Sequence, residues 1–386
     1  MEQRIKSDDI ENTLGPQVHD SGWSKSIGTS RSTEDLEKDA SLPWLLTAYN
    51  CLHMRAVIAE QYGGPEVLEL ADIDITHVGP NGVLVRLHAT SVNPVDWKLR
   101  AGWLSGYWKL RFPVIWGCDA SGVVEQVGSS VTLFKPGDEV YGFKHGKVGE
   151  TYRGTYAEYA VIPENMLALK PAVLSHEEAA AVPLAAVTAW QSLVGKGRIK
   201  PGSKVLIHAA AGGVGIFALQ IAKSFGAHVA ATASVRNHEF LLSLGADEVI
   251  DYTQQRIENK LTGYDVVLDG VGEEVWHSSL KVLRPGGKLI TLTIPTPHGP
   301  SGRFQFFSTA IVGLMSGVGR SLLRGRAFLM IQVKPRGGDL EKINVLIEAG
   351  KLKPVIEKIY PLEQLADAHR ESEKGHVRGK LVVRIT

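Results

Sequence analysis

The stretch His208-Ala209-Ala210-Ala211-Gly212-Gly213-Val214-Gly215 decides how the rest of the chain is read. Before it, Lys204-Val205-Leu206-Ile207 is a short apolar run of the kind that fills a buried parallel strand. After it, Ile216 to Lys223 is apolar at helical spacing and stops at Gly226, a residue suited to closing a helix. Strand, small-residue turn and helix together form the setting in which backbone approaches a pyrophosphate at a helix N-terminus. The pattern is Ala209-x-x-Gly212-x-x-Gly215 rather than G-x-G-x-x-G. Glycine also serves tight turns for steric reasons alone, so the two flanks carry the reading.

Working outward, the period of the sequence switches near residue 175. Ser175-His176-Glu177-Glu178 has the form of a capping box, and Ala179 to Val194 then reads as helix. Strands and helices alternate from there: 204–210, 214–225, 228–234, 237–244, 248–250, 265–269, a helix over 274–283 and a strand over 288–292. That alternation predicts a doubly wound parallel sheet within 179–325. On the N-terminal side, 55–58, 83–87, 121–128 and 136–142 read as short strands between Gly- and Pro-rich turns. They predict a β-rich, partly closed barrel over 54–178. Residues 326–386 offer a helix (339–349) and a closing strand (380–383), and are expected to return to that barrel.

Residues 1–53 differ, with nine acids against five bases and few clustered apolar positions, and read as a disordered extension. They lack the basic start and apolar core of a secretory signal and the acid-poor composition of a transit peptide. The charges nearly cancel, 42 basic against 41 acidic, which gives no reason to expect a nucleic-acid partner. No run of 18 apolar residues is present, so no membrane span is expected. The most apolar stretch, 306–318, is interrupted by Ser, Thr and Gly and reads as a buried or subunit-facing helix. Two cysteines, Cys51 and Cys118, make neither a disulfide framework nor a four-cysteine zinc site, and fit a cytoplasmic, reducing setting.

Three further segments bring a family into view. Ser91-Val92-Asn93-Pro94-Val95-Asp96-Trp97-Lys98, Ser243-Leu244-Gly245-Ala246-Asp247-Glu248-Val249-Ile250-Asp251-Tyr252 and His376-Val377-Arg378-Gly379-Lys380 resemble the zinc-free quinone oxidoreductase branch of the medium-chain dehydrogenase/reductase superfamily. The resemblance covers 54–386. It implies an α/β protein with a GroES-like β-barrel catalytic domain and a Rossmann nucleotide-binding domain. It also implies that the zinc-ligand positions of zinc-dependent relatives fall here at Asn93, within Gly117-Cys118-Asp119, and near Leu184. A catalytic zinc needs three N, S or O ligands from the protein, so no metal is expected, and Cys118 reads as a small buried hydrophobe.

For the cofactor, the strand ending at Ser234-Val235-Arg236 carries no acid to accept from ribose hydroxyls. Ser234 and Arg236 suit a 2′-phosphate instead, unless Arg236 is a solvated side chain at a helix start. NADPH is therefore expected. By resemblance, Tyr252 lines the same pocket, and Thr188 and Lys380 lie beside the cofactor. Ala211, Gly212, Gly213 and Val214 form the dinucleotide turn, Gly270 and Val271 end one sheet strand, and Leu292 approaches the nicotinamide.

Without a metal, the chemistry left is hydride delivery to an acceptor that is already electrophilic, a quinone or an α,β-unsaturated carbonyl. Candidate proton or hydrogen-bond donors are Asn93, Lys98 and Tyr107. Lys98 has the alternative of pairing with Asp96, and Tyr107 of packing within its aromatic loop, 103–108. Two other readings stand beside this one: an enoyl-thioester reductase, and an NADPH-binding sensor or structural protein with little catalysis. Pairing through the nucleotide-binding sheet in relatives implies a homodimer.

Overall fold

Closely spaced Gly and Pro turns cut the first part of the folded region into short strands. The computed structural model describes residues 53–106, 110–145, 152–293, 303–323 and 325–386. The expected N-terminal extension lies, except for His53, outside the described residues. The barrel strands are β1 (His53–Ala59), β2 (Glu69–Asp74), β3 (Gly82–Val92), β4 (Val114–Ile115), β5 (Asp119–Val127), β6 (Glu139–Phe143), β7 (Tyr159–Pro163) and β8 (Leu167–Leu169). Helix α1 (Pro94–Arg100) lies between β3 and β4. β3, β5, β6 and β8 follow one another in an antiparallel ladder, and β7 also pairs with β3. Alternate residues of β3, Val83, Val85 and Leu87, meet Val124, Val140 and Ile162 in one apolar cluster.

Helix α2 (His176–Ala180) opens on the expected capping box: Ser175 Oγ accepts from Glu178 N, and Ser175 N donates to the Glu178 carboxylate. The continuous helix expected to Val194 does not form. α3 (Pro183–Trp190) starts afresh, and a wide π-type turn, Gln191–Gly197, follows it. Pro183 is the cause, since it cannot donate within a helix and crowds the preceding turn, yet suits a helix start.

The nucleotide-binding region runs β9 (Lys204–Ile207), α4 (Gly213–Ser224), β10 (His228–Ala233), α5 (His238–Ser243), β11 (Glu248–Asp251), β12 (Tyr264–Asp269), α6 (Glu273–Val282), β13 (Leu283–Thr291), α7 (Arg303–Leu322) and β14 (Ala327–Met330). Its strand order is β11-β10-β9-β12-β13-β14, and every neighbouring pair is parallel. The chain winds outward from β9 one way and then from β12 the other, which is the doubly wound order. After the exposed Lys204, β9 is apolar because both its faces are covered. Val205 and Ile207 join a cluster with Phe217 and Leu219 of α4, whereas Leu206 joins one with Trp276 and Leu280 of α6. Burying each such side chain contributes about 1.5–3 kcal/mol. β14 was not read from the sequence, and with it the sheet runs past residue 325.

The remaining elements are α8 (Gly337–Glu348), β15 (Ile356–Pro361), α9 (Leu365–Glu373) and β16 (Lys380–Arg384). β16 pairs antiparallel with β3 and carries β15 on its other side, so the chain end does return to the barrel. No described helix is long and apolar enough to cross a membrane.

Candidate active site

The turn after β9 is tight. His208 N donates to Leu268 O of β12 at 2.9 Å and Ala210 N to Thr232 O of β10 at 3.2 Å, so both neighbouring strands hold it. Ala209 takes a left-handed φ of +50°, at a cost of about 1 kcal/mol for a residue with a Cβ. Helix α4 then starts directly at Gly213. Beneath the turn, His208 is 4% exposed, with Nδ1 3.0 Å from Thr232 Oγ1 and Nε2 3.0 Å from Ser279 Oγ. Burial lowers its pKa to about 4, against the pull of Asp269, so the imidazole is neutral.

Two cavities, of about 560 and 670 Å³, meet at this turn and share His208, Ala209, Gly212, Gly270, Gly375 and Val377 in their walls. They lie beyond the carboxyl ends of β9 and β12, where the strand order reverses. The first is lined by Asn93 and Lys98 and by Thr188, Gly213, Val214, Leu292 and Lys380. Ala211, Ser234, Arg236, Tyr252 and Val271 line the second. Every expected site residue that the structure describes therefore faces one trough. Tyr107 lies outside the described residues.

At the barrel end of the first cavity, polar side chains are spent on one another. Asp119, fully buried at the start of β5, accepts from Ser91 Oγ at 2.5 Å, Asn93 Nδ2 at 2.8 Å and Leu184 N at 2.7 Å. Lys380 Nζ lies 3.4 Å from the same carboxylate and also donates to Asn93 Oδ1. The Asn93 amide is thus fixed at both ends, and its second N–H has no acceptor among the described residues.

Asp96 organises the next layer. As the third residue of α1 it accepts from Asn93 N at 2.8 Å, and also from Tyr156 OH at 3.0 Å and Cys118 Sγ at 3.2 Å. Burial raises its pKa to about 6. Burial and then the Asp96 charge push the Cys118 thiol well up, which keeps it a protonated donor. From Tyr156 the chain of contacts continues to His369 Nε2 (3.2 Å), from His369 Nδ1 to Arg100 (3.2 Å), and from Arg100 to Glu373 (2.5 Å). Because Arg100 only donates, His369 Nδ1 accepts and Nε2 carries the hydrogen. Burial, then Arg100, lowers this histidine to about 3.

Among the described residues no ion pair joins Lys98 to Asp96. The Lys98 ammonium instead lies 5.4 Å from the Trp97 ring centre and 5.3 Å from that of Trp103, and burial lowers its pKa. Arg236, exposed at the second cavity, donates to His376 O at 2.5 Å. Trp103, in the aromatic loop singled out from the sequence, lines the first cavity, whereas sequence reasoning missed His208, Gly375 and Val377 as wall residues. The partners of His208 lie 24 and 71 residues away and leave no local signal.

Comparison with known proteins follows the same division. Residues 79–172 match the family described as the alcohol dehydrogenase GroES-like domain, and residues 244–383 the one described as zinc-binding dehydrogenase. The chain is 33% identical over 358 residues to the zebrafish (Danio rerio) protein named NAD(P)H oxidoreductase RTN4IP1, mitochondrial, covering 86% of this chain and 91% of that one. It is 36% identical over 368 residues to the NADPH-dependent alkenal/one oxidoreductase, chloroplastic, of Arabidopsis thaliana, covering 93% and 85%. The solved quinone oxidoreductase of Coxiella burnetii superposes with a TM-score of 0.76 at 32% identity, over 86% of this chain and all of that one. Likeness on this scale, spread over both domains, makes the chain a member of the quinone oxidoreductase branch of the medium-chain dehydrogenase/reductase superfamily.

Proposed function

We propose that this chain is a zinc-independent, NADPH-dependent reductase of quinones or α,β-unsaturated carbonyl compounds. One observation carries the reading. A trough crosses a small-residue turn, ends at one side in Ser234 and Arg236, and ends at the other in Asn93, Asp119 and Lys380 bonded to one another.

The cofactor fits these residues. Gly212, Gly213 and Val214 offer close backbone approach at the start of α4, where a pyrophosphate is stabilised. Ala211, Gly270 and Val271 line the second cavity, in which Ser234, Arg236 and Tyr252 would hold a 2′-phosphate. Thr188, Leu292 and Lys380 line the first cavity, where they would lie beside the nicotinamide. When bound, NADPH supplies the hydride. The chain's own part is to orient the acceptor against Trp103, Leu104 and Phe143, to exclude water, and to meet the developing negative charge with N–H donors. Asn93, Lys98 and Tyr107 are the donors proposed from sequence, and of these Asn93 and Lys98 line the first cavity. Metal independence is supported by the donor set: Leu184 is apolar, the Asn93 oxygen is already taken by an ammonium, and the Cys118 thiol donates to Asp96.

The test is NADPH oxidation with a quinone, a 2-alkenal and an enoyl thioester in the presence of a chelator. Turnover of the first two is expected. Preference for the thioester selects enoyl-thioester reduction, and cofactor binding without any turnover selects the non-catalytic reading. In the same assay Arg236→Gln is expected to raise KM for NADPH about 10-fold or more and leave KM for NADH unchanged. An equal rise for both cofactors would remove Arg236 from the phosphate site.

A homodimer belongs to the same reading. β14 is an outer strand of the six-stranded sheet, and the adjoining α7 exposes Ile311, Val312 and Met315. Light scattering is expected to give twice 41.9 kDa; a monomer mass would reject the pairing. The cytoplasm is retained as the proposed compartment, and cell fractionation decides between it and an organelle.

A further inference from the structure

We infer that the Lys380 ammonium stabilises the oxyanion formed when the acceptor is reduced, and is not simply a contact to the cofactor. The inference deepens the reductase reading and rests on it. Lys380 is only 3% exposed, yet it lines the first cavity. Its stem runs along the dinucleotide turn: a Cβ added at Gly213 would lie 2.8 Å from Lys380 Cδ. Its tip is carried past the turn to the barrel side, where Nζ donates to Asn93 Oδ1 and lies 3.4 Å from Asp119 Oδ2.

Charge neutralisation of Asp119 does not by itself explain this placement. That carboxylate already receives three shorter hydrogen bonds, from Ser91, Asn93 and Leu184. An ammonium has three N–H donors, and Asn93 and Asp119 take two. Among the described residues no third acceptor is recorded for Lys380, in a wall shared with the apolar side chains Val92, Leu184 and Leu292. A fixed, nearly water-free cation with a donor to spare is suited to an oxygen that becomes negative only during reaction.

The electron count closes. A hydride from the reduced nicotinamide adds to the β-carbon of an enone and brings both electrons of the new C–H bond. The C=C pair moves to form a C=C bond toward the carbonyl carbon, and the C=O pair moves onto oxygen. That oxygen carries the charge, accepts the Lys380 N–H, and a proton from solvent completes the saturated carbonyl compound. A quinone reduced the same way places its charge on a phenolate oxygen, which is intrinsically more stable and needs the ammonium less.

Lys380→Met should therefore lower kcat at saturating NADPH with a 2-alkenal by about 100- to 1,000-fold, and with a benzoquinone by less than about 10-fold. NADPH affinity, read by fluorescence of the protein without acceptor, should change by less than about 3-fold. Lys380→Arg should recover part of the alkenal rate. Because Met alone strands Asp119, the double variant Lys380→Met with Asp119→Asn removes both charges and guards against misfolding. A readout that needs no turnover is the absorbance titration of 4-nitrophenol on the NADP⁺-loaded protein. The bound phenol should ionise at a pH at least one unit lower on the natural chain than on the Met variants. Three results would overturn the inference: a main loss in NADPH affinity with kcat intact, an equal loss for alkenal and quinone, or a nitrophenol titration the same in all variants. Absence of turnover in the natural chain alongside a Lys380-dependent phenol shift would reject the reductase reading while retaining the oxyanion site.

Discussion

Replacing Gly215 by valine is expected to abolish measurable NADPH binding. A Cβ at this position would sit 2.6 Å from the carbonyl oxygens of Ala209 and Ala210 and from Ala210 Cα. All three are backbone atoms of the dinucleotide turn, so relief requires moving either the turn or the start of α4. Either movement breaks the alignment of N–H groups on which a pyrophosphate rests. A loss of about 100-fold or more in affinity, about 2.7 kcal/mol, is the expected size. Gly212→Ala is the contrast. Its φ of −79° and ψ of 173° are open to any residue, and the nearest atom to an added Cβ, Ala209 O, is 3.4 Å away. That variant should fold normally, and any loss of affinity reports the space its methyl group takes from the ligand. Calorimetric titration checks both, and an unchanged Kd in Gly215→Val would remove α4 from the phosphate site.

The second large effect is on stability. Asp269 ends β12 with no exposed surface, and its carboxylate accepts from Val271 N (2.8 Å), Gly272 N (3.0 Å), Trp276 Nε1 (2.7 Å) and Thr291 Oγ1 (2.9 Å). Asp269→Ala strands these donors in the interior, at about 1–3 kcal/mol for each that finds no new partner. A total of several kcal/mol is a large share of the 5–15 kcal/mol by which folded domains are usually stable. The variant is expected to accumulate poorly and to lose the Gly270–Gly272 wall of the cofactor trough. Asp269→Asn should fall between. It can still accept at one oxygen, Thr291 can turn its hydroxyl to receive the new amide, but the Trp276 N–H cannot. Denaturant melts order the three proteins, and equal midpoints would show that Asp269 organises nothing.

Much of this architecture was legible because it is periodic and local. The strand of 204–207, the turn and the helix ending before Gly226 are each set by neighbours within a few residues, and the expected elements from 204 to 291 match those found to within about two residues at most ends. The strand before Asp269 and the turn after it were equally plain. Elements that depend on distant partners were not. β14 is four residues long and has meaning only beside β13. The break before Pro183 was hidden by a helical period continuing on both sides. The polar network was least visible of all. Asp96, Tyr156, His369, Arg100 and Glu373 are joined across separations of up to 273 residues, and such pairs leave no period in a sequence. Asn93 and Lys380 were each singled out separately, from different ends of the chain, but that they touch follows only from β16 lying beside β3.

That last pairing bears on how the protein is made. Gly379 N donates to Ala211 O at 2.9 Å, and Gly379 bridges to Gly212, so the closing residues complete a turn translated long before them. Until those residues have emerged from the ribosome, even a nucleotide-binding sheet that has already folded lacks one wall of its trough. Cofactor loading therefore has to wait until Gly379 and Lys380 have docked against the turn.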